Sequence, residues 1–288
     1  ADGRRIQVAG EAGVSAAETL LIAADNDFAG QVHVSGGKAR IADANALSVS
    51  LDARSAVTLS AGGAIAVDGR LTGTGGALTV RSGGSVKLGE LVIGGALDLQ
   101  SVGAITQTGD LRTSGDSRID ASQAGTIALD RAGNDFGGTL TVKGRSAAIA
   151  DRNQLMVALD LESGVTSVQA AAALSLSGRV AGALSAQSVA GDLGTGPLSV
   201  SGNAALGAPA GVLRTGELRV GGALTLTGSV VQQGAIEVGG DTTVDAAGRD
   251  VDLGYYYRAK APWFARATAQ TWGGESTERP AVSLSLAW

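Results

Sequence analysis

Short runs in which apolar and polar residues alternate recur along the chain, as in Val57-Thr58-Leu59, Leu174-Ser175-Leu176 and Leu198-Ser199-Val200. A two-residue period sends successive side chains to opposite faces, so each run predicts a strand with one buried face. The runs are about 3 to 6 residues long, and Gly-rich turns punctuate them. No sustained 3.6-residue pattern appears. Residues 16–24 and 169–173 are the only stretches whose Ala-rich pattern predicts helical turns.

Two repeats organise these runs. The block Asn26-Asp27-Phe28-Ala29-Gly30 returns as Asn134-Asp135-Phe136-Gly137-Gly138, an offset of 108 residues (26 to 134). The register then holds without a gap, carrying Val34 onto Val142, Ile41-Ala42-Asp43 onto Ile149-Ala150-Asp151, and Asn45 and Leu47 onto Asn153 and Leu155. So long a match in constant register indicates duplication. A finer offset of 19 (75 to 94) carries Gly75-Gly76-Ala77-Leu78 onto Gly94-Gly95-Ala96-Leu97, and the motif recurs at Gly221-Gly222-Ala223-Leu224.

Short strands recurring every 19 to about 22 residues predict an all-β, right-handed parallel β-helix, in which each coil lays its strands on those of the coil before. At about 4.8 Å per step, residues 1–253 make roughly a dozen coils and a rod near ~58 Å long. Composition agrees with this. Of 288 residues 45 are Gly, 44% are hydrophobic, 17% are charged and only 3% are aromatic. That content is too apolar for disorder and too rich in Gly for a helical or α/β domain. A narrow coil interior calls for Ala, Val, Leu and Ile, and Gly permits left-handed corners. A stacked β-sandwich is the alternative, but it calls for more aromatics and leaves the 19-residue offset without a reason.

With these blocks, their trailing Ile-Ala-Asp-x-Asn-x-Leu segments and the Gly-Gly-Ala-Leu coils, the chain resembles the repeat regions of filamentous haemagglutinin-like exoproteins. These are the large adhesins of two-partner secretion systems. The resemblance covers about residues 1–253. It implies a secreted or bacterial cell-surface, outer-membrane-associated protein. Its implied partners are host-cell or bacterial surface glycans or proteins, and an outer-membrane secretion transporter during export. The Asn-Pro motifs of the family's N-terminal secretion domain do not occur in this sequence, so the chain is expected to be an interior or C-terminal part. No Arg-Gly-Asp occurs; Asp68-Gly69-Arg70 is its reverse.

The chemical inventory is sparse. A net charge of −5 gives no basic footprint for nucleic acid, and the absence of Cys removes disulfides, thiolate metal sites and thiol nucleophiles. The single His, His33, takes a polar slot of an alternating run, and its counterpart in the second copy is Thr141. It reads as a solvent-facing strand residue. Asp241, Asp245, Asp250 and Asp252 are the weak candidates for a metal site, since Ca²⁺ takes six to eight oxygens. Solvated turn carboxylates are the plainer reading. Asn26, Asp27, Asn134 and Asp135 are expected to brace turns through the backbone, with Phe28 and Phe136 filling the adjoining corner of the coil. The competing use of these residues is glycan contact. No catalytic residue and no cofactor are assigned.

Residues 254–288 change character. Every Tyr and Trp of the chain lies there, and Arg258, Lys260, Arg266 and Arg279 outnumber Glu275 and Glu278. Alternation from Tyr255 to residue 269, and again from Val282 to Trp288, predicts an amphipathic β-hairpin that caps the open end of the coil stack. Tyr255, Tyr257, Trp263, Trp272 and Trp288 are its expected closing residues. The alternative is a fragment of an outer-membrane barrel, which needs about eight strands or more. The expected function is a non-enzymatic adhesin stalk or binding surface. A carbohydrate-active β-helix enzyme and a structural filament unit of a biofilm are the alternatives.

Overall fold

In the computed structural model, residues 5–121, 125–246 and 251–252 are described, together with the backbone of a strand at Ser283–Leu286. Among them there are strands and turns only, wound into about 13 turns of parallel β-solenoid. The chain divides into two compact units, Ala1–Asp151 and Arg152–Trp288.

In the first unit, strands Val57–Ala61, Leu78–Ser82, Leu97–Ser101, Ser117–Asp120 and Thr139–Gly144 stack in parallel. The register runs Val57↔Leu78↔Leu97↔Ser117↔Leu140 and, two residues on, Leu59↔Val80↔Leu99↔Ile119↔Val142. Because the pleat alternates, every member of these two columns points inward, and all are buried. A second stack follows the same rule, through Ile65↔Val86↔Ile105↔Ile127↔Ala147. The coil holding Leu97, Leu99, Ile105 and Leu111 buries all four side chains to 1% exposure or less. Each such burial stabilises the fold by roughly 1.5–3 kcal/mol, and this coil fills its interior without an aromatic residue.

The second unit is built alike. Leu155–Leu161 pairs with Leu174–Val180, which pairs with Leu193–Val200, and Val165–Ala170 pairs with Ala183–Ser188. At its far end Ser283–Leu286 runs antiparallel to Thr242–Asp245, with Thr242 opposite Leu286 and Asp245 opposite Ser283. Of the tail predicted to form a hairpin, only this strand is described.

Several strands are longer than the alternating runs predict. Gln31–Asp43 spans 13 residues and Ala204–Thr215 spans 12, because the chain rounds a corner of the coil while staying paired to neighbouring strands on both sides of it. In strands Ile65–Leu71 and Leu174–Val180 glycine makes such a corner possible at Gly69 and Gly178, with φ of 107° and 106°. A Cβ at these positions lies 2.0 Å from the Leu51 carbonyl oxygen and 2.1 Å from that of Leu159, so the neighbouring coil excludes any side chain.

The two predicted helical turns do not form. Residues 16–21 belong to strand Ala12–Leu21, in register with Val32 to Ile41, and residues 169–170 end strand Val165–Ala170. Helix nucleation fixes several residues for one hydrogen bond, whereas an adjacent coil offers a complete row of backbone partners. Tertiary pairing therefore overrides the propensity of Ala.

Candidate functional site

The Asn-Asp-Phe blocks sit at corners of the coil. Asn26 and Asn134 are both fully buried. The Asn26 side-chain amide donates to the carbonyls of Leu21 at 3.2 Å and Ala42 at 3.3 Å, and its oxygen accepts from the Ile6 amide at 2.9 Å. Asn134 repeats this with Leu129 at 3.0 Å, Ala150 at 3.3 Å and the Leu111 amide at 2.9 Å. The Phe28 amide donates to Asp43 Oδ2, and the Phe136 amide to Asp151 Oδ2, each at 2.7 Å. Asp43 also accepts from the Asn45 amide at 2.6 Å. Both carboxylates and both rings are buried. The block is thus a latch joining three successive passes of the chain.

Asp27 and Asp135 lie at the half-buried surface of the same corners. Asp27 meets Arg5 and Gln7 at 3.4 and 3.3 Å and accepts from Asn45 at 3.3 Å. Sequence reasoning missed Asp43 and Asp151 as partners of the blocks. It also missed Gln107, which adds amide bonds to Asn134.

His33 is half exposed, with Nε2 4.0 Å from Glu11 Oε2. Asp241, Asp245 and Asp252 are exposed, and Asp250 lies outside the described residues. Among the described residues no three acidic or His side chains come together as metal ligands. Tyr255, Tyr257, Trp263, Trp272 and Trp288 also lie outside the described residues.

The arrangement with most chemical content was not singled out from the sequence. Outward positions of the first stack follow the same register as the core, giving Ser60↔Arg81↔Gln100↔Asp120 in one column and Thr79↔Asp98↔Arg118 beside it. Between them runs a cleft of about 280 Å³ lined by Arg81, Asp98, Gln100, Arg118 and Asp120. It adjoins another of about 340 Å³ that shares Arg81 and Gln100 and reaches Ser60 and Val102.

Arg81 Nη2 donates to Asp98 Oδ2 at 2.7 Å, and Arg118 Nη2 to Asp120 Oδ2 at 3.2 Å. The bond from Asp98 and the charges of Asp98 and Asp120 raise the Arg81 pKa above its ordinary value, against a smaller opposing effect of burial. Asp120 is buried, with a side chain only 9% exposed, whereas Arg118 is 64% exposed. Gln100 lies between the pairs, and its side-chain amide has no partner among the described residues. The cleft therefore offers two fixed ion pairs and one free amide, contributed by three successive coils.

Fold and site together define a parallel β-solenoid repeat protein with small polar side chains on its outer faces. Residues 75–143 and 210–255, together less than half of the chain, are similar to a family described as repeats of unknown function (DUF5649). The first matched stretch contains all five residues that line the cleft and the Asn134–Phe136 block, but not its partner Asp151. Comparison with curated proteins and with solved structures gives no match.

Proposed function

We propose that the chain is a non-enzymatic stalk segment of a secreted or cell-surface adhesin, which displays polar faces for attachment to surface glycans or proteins. The observation that carries this reading is the register. Paired coils repeat the same core in each unit, and among the described residues the outer faces carry Ser, Thr, Asn and paired charges. Stability then adds along the stack, and binding spreads along a face. The resemblance to filamentous haemagglutinin-like repeats supports export by two-partner secretion and a place at the bacterial surface. Attachment of the purified, labelled chain to epithelial or bacterial cells tests the reading. Saturable attachment is expected, and the absence of attachment to any surface rejects it.

A carbohydrate-active enzyme is the second reading. What favours it is that Asp98 and Asp120, from successive coils, face one cleft. Glycoside hydrolysis commonly employs two carboxyl groups, one of which delivers a proton. Both carboxylates here are engaged by guanidinium groups, Asp98 by Arg81 at 2.7 Å and Asp120 by Arg118 at 3.2 Å. Cleavage of a polysaccharide that is abolished in Asp98→Asn and Asp120→Asn would establish this reading over the first.

A further inference from the structure

We propose that the cleft crossing the coils of Arg81, Gln100 and Asp120 is a binding site for an extended, neutral oligosaccharide. The proposal deepens the attachment reading and rests on it for its setting, since it names the ligand class that one face takes.

Charge balance selects the class. Two guanidiniums and two carboxylates line the cleft. A polyanion laid along it meets Asp98 and Asp120, and a polycation meets Arg81 and Arg118. A neutral polyol pays neither penalty. Group geometry selects further. Guanidinium, carboxylate and primary amide are all planar and offer paired donors or acceptors, which match the adjacent hydroxyl groups of a sugar ring.

Gln100 is the most available of these groups. It sits in register between Arg81 on one side and Asp120 on the other, and its amide has no partner among the described residues. The buried Asp120 is held in place by Arg118, so the acceptor side of the cleft is pre-organised before a ligand arrives.

The cleft also has direction. Its lining comes from successive coils about 4.8 Å apart. That spacing suits an extended glycan whose rings advance along the stack, with one set of polar groups per coil. Among the described residues no aromatic ring lines it. Without a stacking platform, affinity rests on hydrogen bonds exchanged with water and falls near about 1 mM for a single site. Useful attachment then comes from several contacts at once.

The test is an NMR titration of the full chain with β-1,4-linked hexamers of glucose and of N-acetylglucosamine, and with a heparin hexasaccharide for comparison. Millimolar binding of a neutral hexamer is expected, weakened about tenfold by Gln100→Ala and by Arg118→Ala. The melting temperature of Gln100→Ala should equal that of the parent chain, which separates lost binding from lost folding. Failure of both neutral hexamers to bind at millimolar concentration overturns the proposal, as does tighter, salt-sensitive binding of heparin. Cell attachment separates the two levels. If Gln100→Ala attaches as well as the parent, the cleft assignment fails and the attachment reading stands. If the parent attaches to nothing, the attachment reading itself fails.

Discussion

Gln107 and Asn134 hold each other through two reciprocal amide hydrogen bonds. Gln107 Nε2 donates to Asn134 Oδ1 at 2.8 Å, and Asn134 Nδ2 donates to Gln107 Oε1 at 2.9 Å. The pair spans one coil, so it ties the latch of the second copy to the turn below it. Asn26 makes the corresponding backbone bonds, but among the described residues it has no such side-chain pair.

This difference makes a comparison within one unit possible. Asn134→Ala strands a buried amide, two carbonyls and the Gln107 side chain, and should destabilise the first unit by roughly 3 kcal/mol or more. Asn26→Ala removes fewer bonds and should cost about 1 kcal/mol less. Urea denaturation of the two variants measures the gap, and a larger loss at Asn26 contradicts the account.

Gly178 and Gly194 lie in neighbouring coils of the second unit and should respond oppositely to the same change. Gly178→Ala forces a side chain into positive φ and against the Leu159 carbonyl, at a cost of at least about 2 kcal/mol. At Gly194 an added Cβ meets nothing within 4 Å, so Gly194→Ala should be neutral or stabilising by up to about 1 kcal/mol. Thermal melts of both variants decide the matter.

Acid should selectively weaken the contact around Asp192. The Val212 amide and the Arg214 guanidinium hold its carboxyl below the usual carboxylate range. A carboxylate whose pKa is lowered on folding stabilises the folded state above its unfolded pKa. That contribution disappears as pH falls through the lower, folded value. Asp192→Asn should therefore melt below the parent chain at pH 7. The difference should shrink as pH drops from about 4 downward. A gap that is constant with pH would mean that the effect is packing and not charge.

The antiparallel strand Ser283–Leu286 covers one edge of Thr242–Asp245. Deleting residues 283–288 leaves that edge with unpaired amides and carbonyls, which recruit other chains. The shortened protein should show concentration-dependent association by light scattering. A deletion variant that stays monomeric at all concentrations would show that this strand protects nothing.

Much of the fold could be read from alternation and from the 19-residue offset, because a solenoid repeats locally what it needs globally. Leu78 and Leu97 are partners in the structure as they are in the repeat. The Ala-rich stretches at 16–24 and 169–173 misled because propensity is local and the pairing that overrides it is not. The cleft escaped notice for a related reason. Arg81, Gln100 and Asp120 are single polar residues at outward slots, and each looks solvated when read alone. Applied to outward positions, the same offset would have carried Arg81 onto Gln100. For Gln107 there was no such signal, since its partner arrives one coil later and no repeat pairs them.

The two latches occupy equivalent corners, so the 108-residue offset between Asn26 and Asn134 corresponds to a whole number of coils. Gene segments of that length can be gained or lost by unequal recombination without any surviving side chain changing face. A deletion of one residue, by contrast, inverts inside and outside until the next Gly-rich corner restores the phase. Such a chain can change length in steps of whole coils, while within a step the face of every residue is fixed by its register. A lineage carrying it can alter the reach of the protein far more readily than it can alter any single turn.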